Sequence, residues 1–565
     1  MADISKYSVI DPRILQQKPK YAVEKGAVSI TNQTFSAIAN SASQQTFQVQ
    51  VPSENIFVDR AIDWVNTANV VVTLTYAVYG DCPATGATLF TPGVGFSLAP
   101  FPTTQSVSTM QCTVNDQSLS VNMSDVLPQV LRLADLAKTR KQRTCPTMLD
   151  RYYDTQSTAS YPNSSVGSYG SAFANDEVPC GAWGDLSFYV PTTAGTAGAI
   201  TLSGAGLPLA PTKPGSGSNL TIKVGVTWKT AEKLVLPPFI FADEDELSTG
   251  LFGVQNMQFT MNFNSPGRSL RVAGASVPGT LAGVTVDWDS TKGGNGSPFS
   301  QALLQVQFLT PNLETPLPAK SIVPWMEFPR YISPVQSVSA GLNANVNSQT
   351  ITLPMIPDLL VLFVKPQTYS SPTGQNLDPT QCDWSLPIVN ISLSFDNFSG
   401  LLSNHSQYEL YKMSVNNGLE MDWDEWSGSA WGNGAKVPLV GGPLVLRPGR
   451  DFALSTGQAP GLIGNFTLQF TLQIENATGD TFGPQGSSTY GSGVSIYTVT
   501  ANSGFFETIK GSSRILRGVV TEQDILGAPV AEPVESMERM VGEGKHKKHV
   551  GHGVHHKKGM HSYIR

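Results

Sequence analysis

The feature that most constrains this chain is strict alternation of apolar and polar residues. In NFTLQFTLQIEN, Phe466, Leu468, Phe470, Leu472 and Ile474 fall on one side, with Thr or Gln between them. A period of two places successive side chains on opposite faces of a strand, so this segment is a strand with one face buried. The same pattern recurs in Val70 to Tyr79 through Val70, Val72, Leu74, Tyr76 and Val78. It recurs again in Met257, Phe259, Met261 and Phe263, and in Leu304, Val306 and Phe308. Leu359 to Val364 is continuously apolar and predicts a strand buried on both faces. These runs extend from about residue 27 to residue 516, divided by Gly, Pro, Asn and Ser clusters, which predicts large antiparallel sandwiches.

Length turns that pattern into an architecture. A chain of 565 residues exceeds what one core holds, so two domains are expected. The Pro-rich passage Thr310 to Trp325, with Pro311, Pro316, Pro318 and Pro324, interrupts the strands and marks the boundary. The expected division is an N-terminal arm (1–26), a first sandwich (27–315), a second (316–516), and a linker with a tail (517–565). Helices are few. Ser124 to Lys138 has Ser124 and Asp125 as candidate caps, Pro128 in the first turn, and Val126, Val130, Leu133 and Ala137 on one face. Ser406 to Val415 ends at Asn417-Gly418, a left-handed stop. No βαβ alternation is present, which argues against a nucleotide-binding parallel sheet.

Composition narrows the function. Charged residues are only 14% of the chain, against about 25% in ordinary soluble proteins. Faces so poor in charge suit burial against other subunits. Five cysteines, Cys82, Cys112, Cys145, Cys180 and Cys382, are odd in number and widely spaced. They predict neither a disulfide framework nor a zinc site. No secretory signal and no long apolar span for a membrane helix is read in the sequence.

Enzymatic signatures are weak. Outside the last 21 residues the chain has one histidine, His405, expected to be exposed beside the helix start at Ser406. The acidic cluster Asp243 to Glu246 reads as a solvated turn more readily than as a cation site. Asp422, Trp423, Asp424, Glu425 and Trp426 have the residue types of a sugar site. Sequence neighbours on a strand point apart, however, so the segment is read as an inter-strand loop whose tryptophans bury against a neighbouring subunit. No catalytic residue, metal ligand or cofactor is predicted.

The tail is where charge concentrates. Lys545, Lys547, Lys548, Lys557, Lys558 and Arg565 carry +6 with no acid, which leaves the rest of the chain at −13 against −7 overall. Six of the seven histidines, His546, His549, His552, His555, His556 and His561, lie there too and gain charge as pH falls through about 6.5. Three readings stand: a genome-contacting arm, a metal-binding tract, and a solubilising end. The cations are candidate nucleic-acid contacts, with a log–log salt slope of roughly −5 at most.

Several blocks, in order, resemble the major capsid proteins of virophages and polinton-like viruses. They are FPTTQSVSTMQCTVNDQ (101–117), KLVLPPFIFADEDELSTGLFGVQNMQFTMNF (233–263) and LLQVQFLTPNLETPLPAKSIVPWMEFPRY (303–331), followed by IPDLLVLFVKP (356–366), YELYKMSVNNG (408–418) and GLIGNFTLQFTLQIEN (461–476). The resemblance implies an all-β double jelly roll and a homotrimeric capsomer of pseudo-hexagonal outline, within an icosahedral shell around double-stranded DNA. It further implies neighbouring capsomers, penton and minor capsid proteins as partners, and a place in the virion after assembly in the infected cell, whereas viral DNA as a candidate partner of the tail rests on the tail's charge. The competing reading is a carbohydrate-binding β-sandwich, a lectin or receptor-binding spike, with the tryptophan segment as its site.

Overall fold

The computed structural model describes residues 29–53, 55–76, 96–98, 101–133, 185–189, 200–202, 209–211, 220–239, 250–272, 281–311, 320–338, 343–366, 385–432, 435–438, 441–475 and 493–517. Sixteen principal strands account for the architecture. Eight lie before the Pro-rich passage: β1 (Ser29–Ser36), β2 (Gln44–Gln50), β3 (Asp63–Tyr76), β4 (Val107–Val114), β5 (Gln117–Val121), β6 (Leu220–Lys233), β7 (Asn256–Phe263) and β8 (Phe299–Thr310). Eight follow: β9 (Ser321–Glu327), β10 (Ile351–Met355), β11 (Leu359–Pro366), β12 (Ile388–Phe395), β13 (Phe398–Leu401), β14 (Leu444–Leu446), β15 (Ile463–Ile474) and β16 (Val494–Ile509).

The first eight form two antiparallel sheets, ordered β1-β8-β3-β6 and β2-β7-β4-β5. The second eight repeat this order, as β9-β16-β11-β14 and β10-β15-β12-β13. Adding eight to each strand number of the first set gives the second. Two sheets whose four principal strands follow this crossed order are a jelly roll, so the chain is a double jelly roll. Among the described residues, no sheet pairs a strand of one roll with a strand of the other.

Alternation places the cores as the sequence predicts. On β7, Met257, Phe259 and Met261 are buried, while Gln258 faces out between Gln48 and Thr113 on its neighbours. On β15, Phe466, Leu468, Phe470, Leu472 and Ile474 are buried, while Asn465, Thr467 and Gln469 are exposed. The outer faces of these strands thus carry amides and hydroxyls instead of charges, which is part of why ionic residues are so few. Leu360 to Val364 are buried on both faces of β11. Phe239, Trp325 and Phe466 are all buried within the chain.

Four helices are relevant: α1 (Pro102–Gln105), α2 (Met123–Leu131), α3 (Gln407–Asn416) and α4 (Trp423–Ser427). The helices α2 and α3 follow β5 and β13, so the inserted helix is duplicated with its roll. Ser406 caps α3 and forms a reciprocal capping box with Glu409, and Gly418 stops it at φ 101°. The helix α2 begins at Met123, with Val126 N–H donating to the Asn122 carbonyl, so Ser124 lies inside the first turn and does not cap. The expected extension to Lys138 passes beyond the described residues after Leu133. A second difference concerns the boundary: its last part, including Pro324 and Trp325, is strand β9. Because β9 is, among the described residues, a sheet edge paired only to β16, it tolerates a residue that lacks an N–H.

Candidate assembly site: the seam between the rolls

The two rolls are joined by polar clasps that the topology sets face to face. The turn between β4 and β5 carries Asn115 in the left-handed region, at φ 53°. Its Oδ1 accepts from Gln255 N–H at 2.8 Å, and its Nδ2 donates to Ser513 Oγ at 3.0 Å and to the Gly253 carbonyl at 3.3 Å. The adjacent Asp116 accepts from Ser513 N–H at 2.6 Å and from Ser512 Oγ at 3.0 Å. Those bonds favour the carboxylate and hold the Asp116 pKa below the ordinary value, with the Ser513 amide as the largest cause. One turn of the first roll therefore grips the start of the last described strand, Ser512–Arg517, nearly 400 residues away in sequence.

Beside it, three carbonyls of the first roll receive donors from the second. Gly511 N–H donates to Gly253 at 2.9 Å, Thr508 Oγ1 to Phe252, and Ser321 Oγ to Gly250 at 3.4 Å. Gly253 has φ 77°, and a Cβ there would stand 2.9 Å from Lys510 N, so close approach and backbone conformation both require glycine. Helix α2 supplies the other end. Asp125 pairs with Arg330, Arg132 Nη1 donates to the Gly441 carbonyl at 3.0 Å, and Glu420 N–H donates to the Arg132 carbonyl at 2.9 Å.

Two carboxylates are fully buried among the described residues, Glu507 at the seam and Glu232 inside the first roll. Glu507, with a fully buried side chain, meets Lys320 at 2.6 Å and also Arg514. Burial alone would raise its pKa, but the hydrogen bonds and charges of Arg514 and Lys320 outweigh it and the net shift is downward. Glu232 accepts from Thr103 N–H and Thr104 N–H, both at 2.8 Å, at the start of α1, and from Thr230 Oγ1 at 3.0 Å. Here burial wins over those bonds and its pKa is raised.

The tryptophan segment differs from its sequence reading. It is the short helix α4 and not an inter-strand loop, because Asp422 to Ser427 close a helical turn ended by left-handed Gly428. Trp426 is buried in its own roll, with Nε1 donating to the Pro443 carbonyl at 2.8 Å. Trp423 packs on Trp426, Tyr411 and Tyr408 at 5.4–6.0 Å between ring centroids. These rings fill an internal cluster, so burial against another subunit is not needed to explain Trp426. Asp424 is exposed while Glu425 is buried, so the two carboxylates do not line one surface. His405 is half-buried instead of exposed, because its backbone is drawn in by Asn390 Nδ2 at 3.1 Å. Among the described residues, no group of three His, Cys, Asp or Glu side chains is placed to hold a metal. Cys112 is buried, and burial pushes its thiol pKa well up. Asp243 to Glu246, the other four cysteines, and Lys545, Lys547, Lys548, Lys557, Lys558 and Arg565 lie outside the described residues.

Residues 2–309 match the family described as the Sputnik virophage major capsid protein first domain. Residues 328–504 match the major capsid protein V20 C-terminal domain. The chain belongs to the virophage major capsid protein family. Capsid protein V20 of Sputnik virophage is 24% identical over 481 residues, covering 83% of this chain and 74% of that protein. The cryo-EM structure of the Sputnik virophage superposes with a TM-score of 0.69 at 22% identity, over 94% of this chain and 97% of its own. The crystal structure of the mavirus major capsid protein gives 0.62 at 13% identity, over 91% and 94%. This virophage-type major capsid protein is a structural component of the virion.

The seam residues were not singled out in the sequence. Asn115-Asp116 stood within a recognised block, but nothing local signals that the pair reaches across to Ser512 and Ser513.

Proposed function

We propose that the chain acts without catalysis, as a homotrimeric capsomer of pseudo-hexagonal outline. These capsomers tile an icosahedral shell around double-stranded DNA, with penton and minor capsid proteins completing it. The observation that carries this reading is the duplicated roll. Two rolls of one topology, fastened edge to edge within a chain, supply six similar walls from three copies. The charge-poor outer strands fit burial between copies.

Three finer assignments belong to the same reading. The rolls divide near residues 315 and 316, with residues 1–26 as an arm and 517–565 as linker and tail. This is supported by the strand pairing, which keeps each sheet on one side of the Pro-rich passage. Lys545, Lys547, Lys548, Lys557, Lys558 and Arg565 contact the genome from the shell's inner face, where many tails act together. The carbohydrate-binding alternative has little support, because Trp426 and Trp423 are engaged with each other and with Tyr411.

Sedimentation of the expressed chain tests the capsomer, with a species of about three times 60.4 kDa expected at low concentration. A monomer at all concentrations refutes it. For the tail, binding of the purified capsomer to duplex DNA is expected to weaken steeply with salt. Truncation after residue 544 should abolish it, and unchanged binding would refute the assignment.

A further inference from the structure

The first roll holds an acid in its interior with neutral partners only. Glu232, near the end of β6, is fully buried, and its two oxygens take four donors. Oε1 accepts from Thr103 N–H at 2.8 Å and from Thr230 Oγ1 at 3.0 Å. Oε2 accepts from Thr104 N–H at 2.8 Å and from Thr104 Oγ1 at 2.5 Å. These bonds fix α1, whose four residues are all buried and whose single turn is too short to persist alone. Phe101 enters it from the left-handed region at φ 51°, and Ser106 Oγ and Ser269 Oγ both donate to the Pro102 carbonyl, at 3.1 and 2.7 Å. Glu232 is therefore the joint between β6 and the segment that leads into β4.

The hydroxyls at this joint have a direction. Trp228 Nε1 can only donate, and it reaches Thr103 Oγ1 at 3.4 Å. Thr103 Oγ1 lies 3.0 Å from Thr230 Oγ1, a pair in which either oxygen can be the donor. With the carboxylate ionised, the bonds run one way, from Trp228 through Thr103 and Thr230 to Glu232. A protonated Glu232 must itself donate, and Thr230 accepts that hydrogen by passing its own to Thr103. Charged side chains nearby are engaged elsewhere. Lys233 and Asp63, one step along β6 and β3, pair with each other at 2.8 Å on the opposite face. On Pro266–Ser269, packed against α1, Arg268 donates to the Ser124 carbonyl, and Arg60 donates to the Pro238 carbonyl at 3.2 Å. Across β3 the residues opposite Glu232 and Thr230 are the neutral Trp64 and Asn66. Burial is the largest influence on Glu232 and raises its pKa above the ordinary 4.5 in spite of its four bonds.

We propose that Glu232, Thr230 and Thr103 form a proton-operated wire: the carboxylate takes a proton from water, the two hydroxyls reverse, and acid stabilises the joint between β6 and α1. One O–H bond forms on Glu232, and each threonine keeps its own hydrogen while turning it to a new acceptor. The stabilisation is complete below the unfolded value of about 4.5 and is lost as pH rises through the higher folded value. Asp116 at the seam responds in the opposite sense, because its bonds favour the charged form. A fall in pH thus weakens the clasp between the rolls while it relieves a buried charge inside the first.

Infrared difference spectroscopy on the full chain tests the wire between about pH 8 and pH 4.5, with far-UV circular dichroism to confirm the fold. The carbonyl stretch of a protonated, buried carboxyl group should grow in the wild type as pH falls and be missing in Glu232→Gln. Thr103→Val leaves all four bonds to the carboxylate but removes the acceptor that Thr230 needs once it turns, so the band should appear at lower pH than in the wild type. In urea, the wild-type midpoint should gain on that of Glu232→Gln as pH falls over the same range. No band specific to Glu232, or a midpoint gap that is constant or shrinks in acid, overturns the proton uptake. A band at the wild-type pH or higher in Thr103→Val overturns the wire. Should Glu232→Gln fail to fold, the wild type and Thr103→Val alone decide, by the pH at which the band appears in each.

Discussion

Replacing Asn115 by alanine should loosen the joint between the rolls while leaving each roll's core intact. Asn115 makes side-chain hydrogen bonds at 2.8, 3.0 and 3.3 Å, two of them within the first roll and one to Ser513 of the second. At a net value of roughly 1 kcal/mol for each well-formed bond, and less for the longest, their loss costs about 2–3 kcal/mol. Alanine must also adopt φ 53°, which costs about another 1 kcal/mol because its Cβ crowds the following carbonyl. The sum is about 3–4 kcal/mol. Glycine at this position removes the same bonds but accepts the backbone, so Asn115→Gly should be milder than Asn115→Ala by about 1 kcal/mol. Aspartate keeps the Oδ1 acceptor and tolerates the conformation, but its second oxygen stands where Nδ2 donated to the Gly253 carbonyl and adds a charge beside Asp116, so Asn115→Asp should be no milder than Asn115→Gly.

Urea denaturation at pH 7 and fixed protein concentration, followed by circular dichroism and tryptophan fluorescence, measures the series. Gly is expected to be milder than Ala, and Asp no milder than Gly, with the Ala variant showing two separated transitions where the rolls come apart before they unfold. A cost below about 1 kcal/mol for Asn115→Ala, or Gly no better than Ala, would refute the account of this turn as both clasp and strained corner.

Trp426→Ala removes a buried ring and its bond to Pro443, so a loss of about 3–5 kcal/mol is expected in the same assay. An unaffected midpoint would revive a surface role for this residue. Asp116 has a depressed pKa in the folded protein, so its contribution is present above the unfolded value of about 3.9 and is lost as pH falls through the lower folded value. Thermal scans from pH 5 downward should therefore show a decline that is reduced in Asp116→Asn; an identical decline in both proteins counts against it. Lys320→Met leaves Glu507 buried with only the more exposed Arg514 beside it, and a cost of about 2–3 kcal/mol is expected from thermal unfolding at pH 7. Glu507→Gln in the Lys320→Met background should recover part of that cost, since a buried charge that Arg514 alone compensates is removed, and a further loss would show that the charge was not the cause.

How far such features are legible in sequence depends on the distance over which their cause acts. Alternation in β7 and β15 is legible because a strand's two faces are set by neighbours two residues apart. The α3 cap is legible for the same reason, since Ser406 and Glu409 answer each other across one turn. Pro324 misled because proline signals the loss of a donor, and whether that donor is needed depends on β9 being an edge, which only the completed sheet decides. The duplication shows in strand order and not in residue identity, because a jelly roll asks only for alternation at the right strands. Asn115 and Asp396, at the matched turns β4–β5 and β12–β13, do the same work with different side chains at φ 53° and 48°. The tryptophans of α4 were recognised as buried, but residue type states that a ring seeks cover and not which surface provides it. The seam is the extreme case: Asn115 and Asp116 find partners in Ser512 and Ser513 nearly 400 residues on. Contacts of that range arise only after two independently patterned rolls have formed, so a surface that joins them is written in topology more than in local sequence.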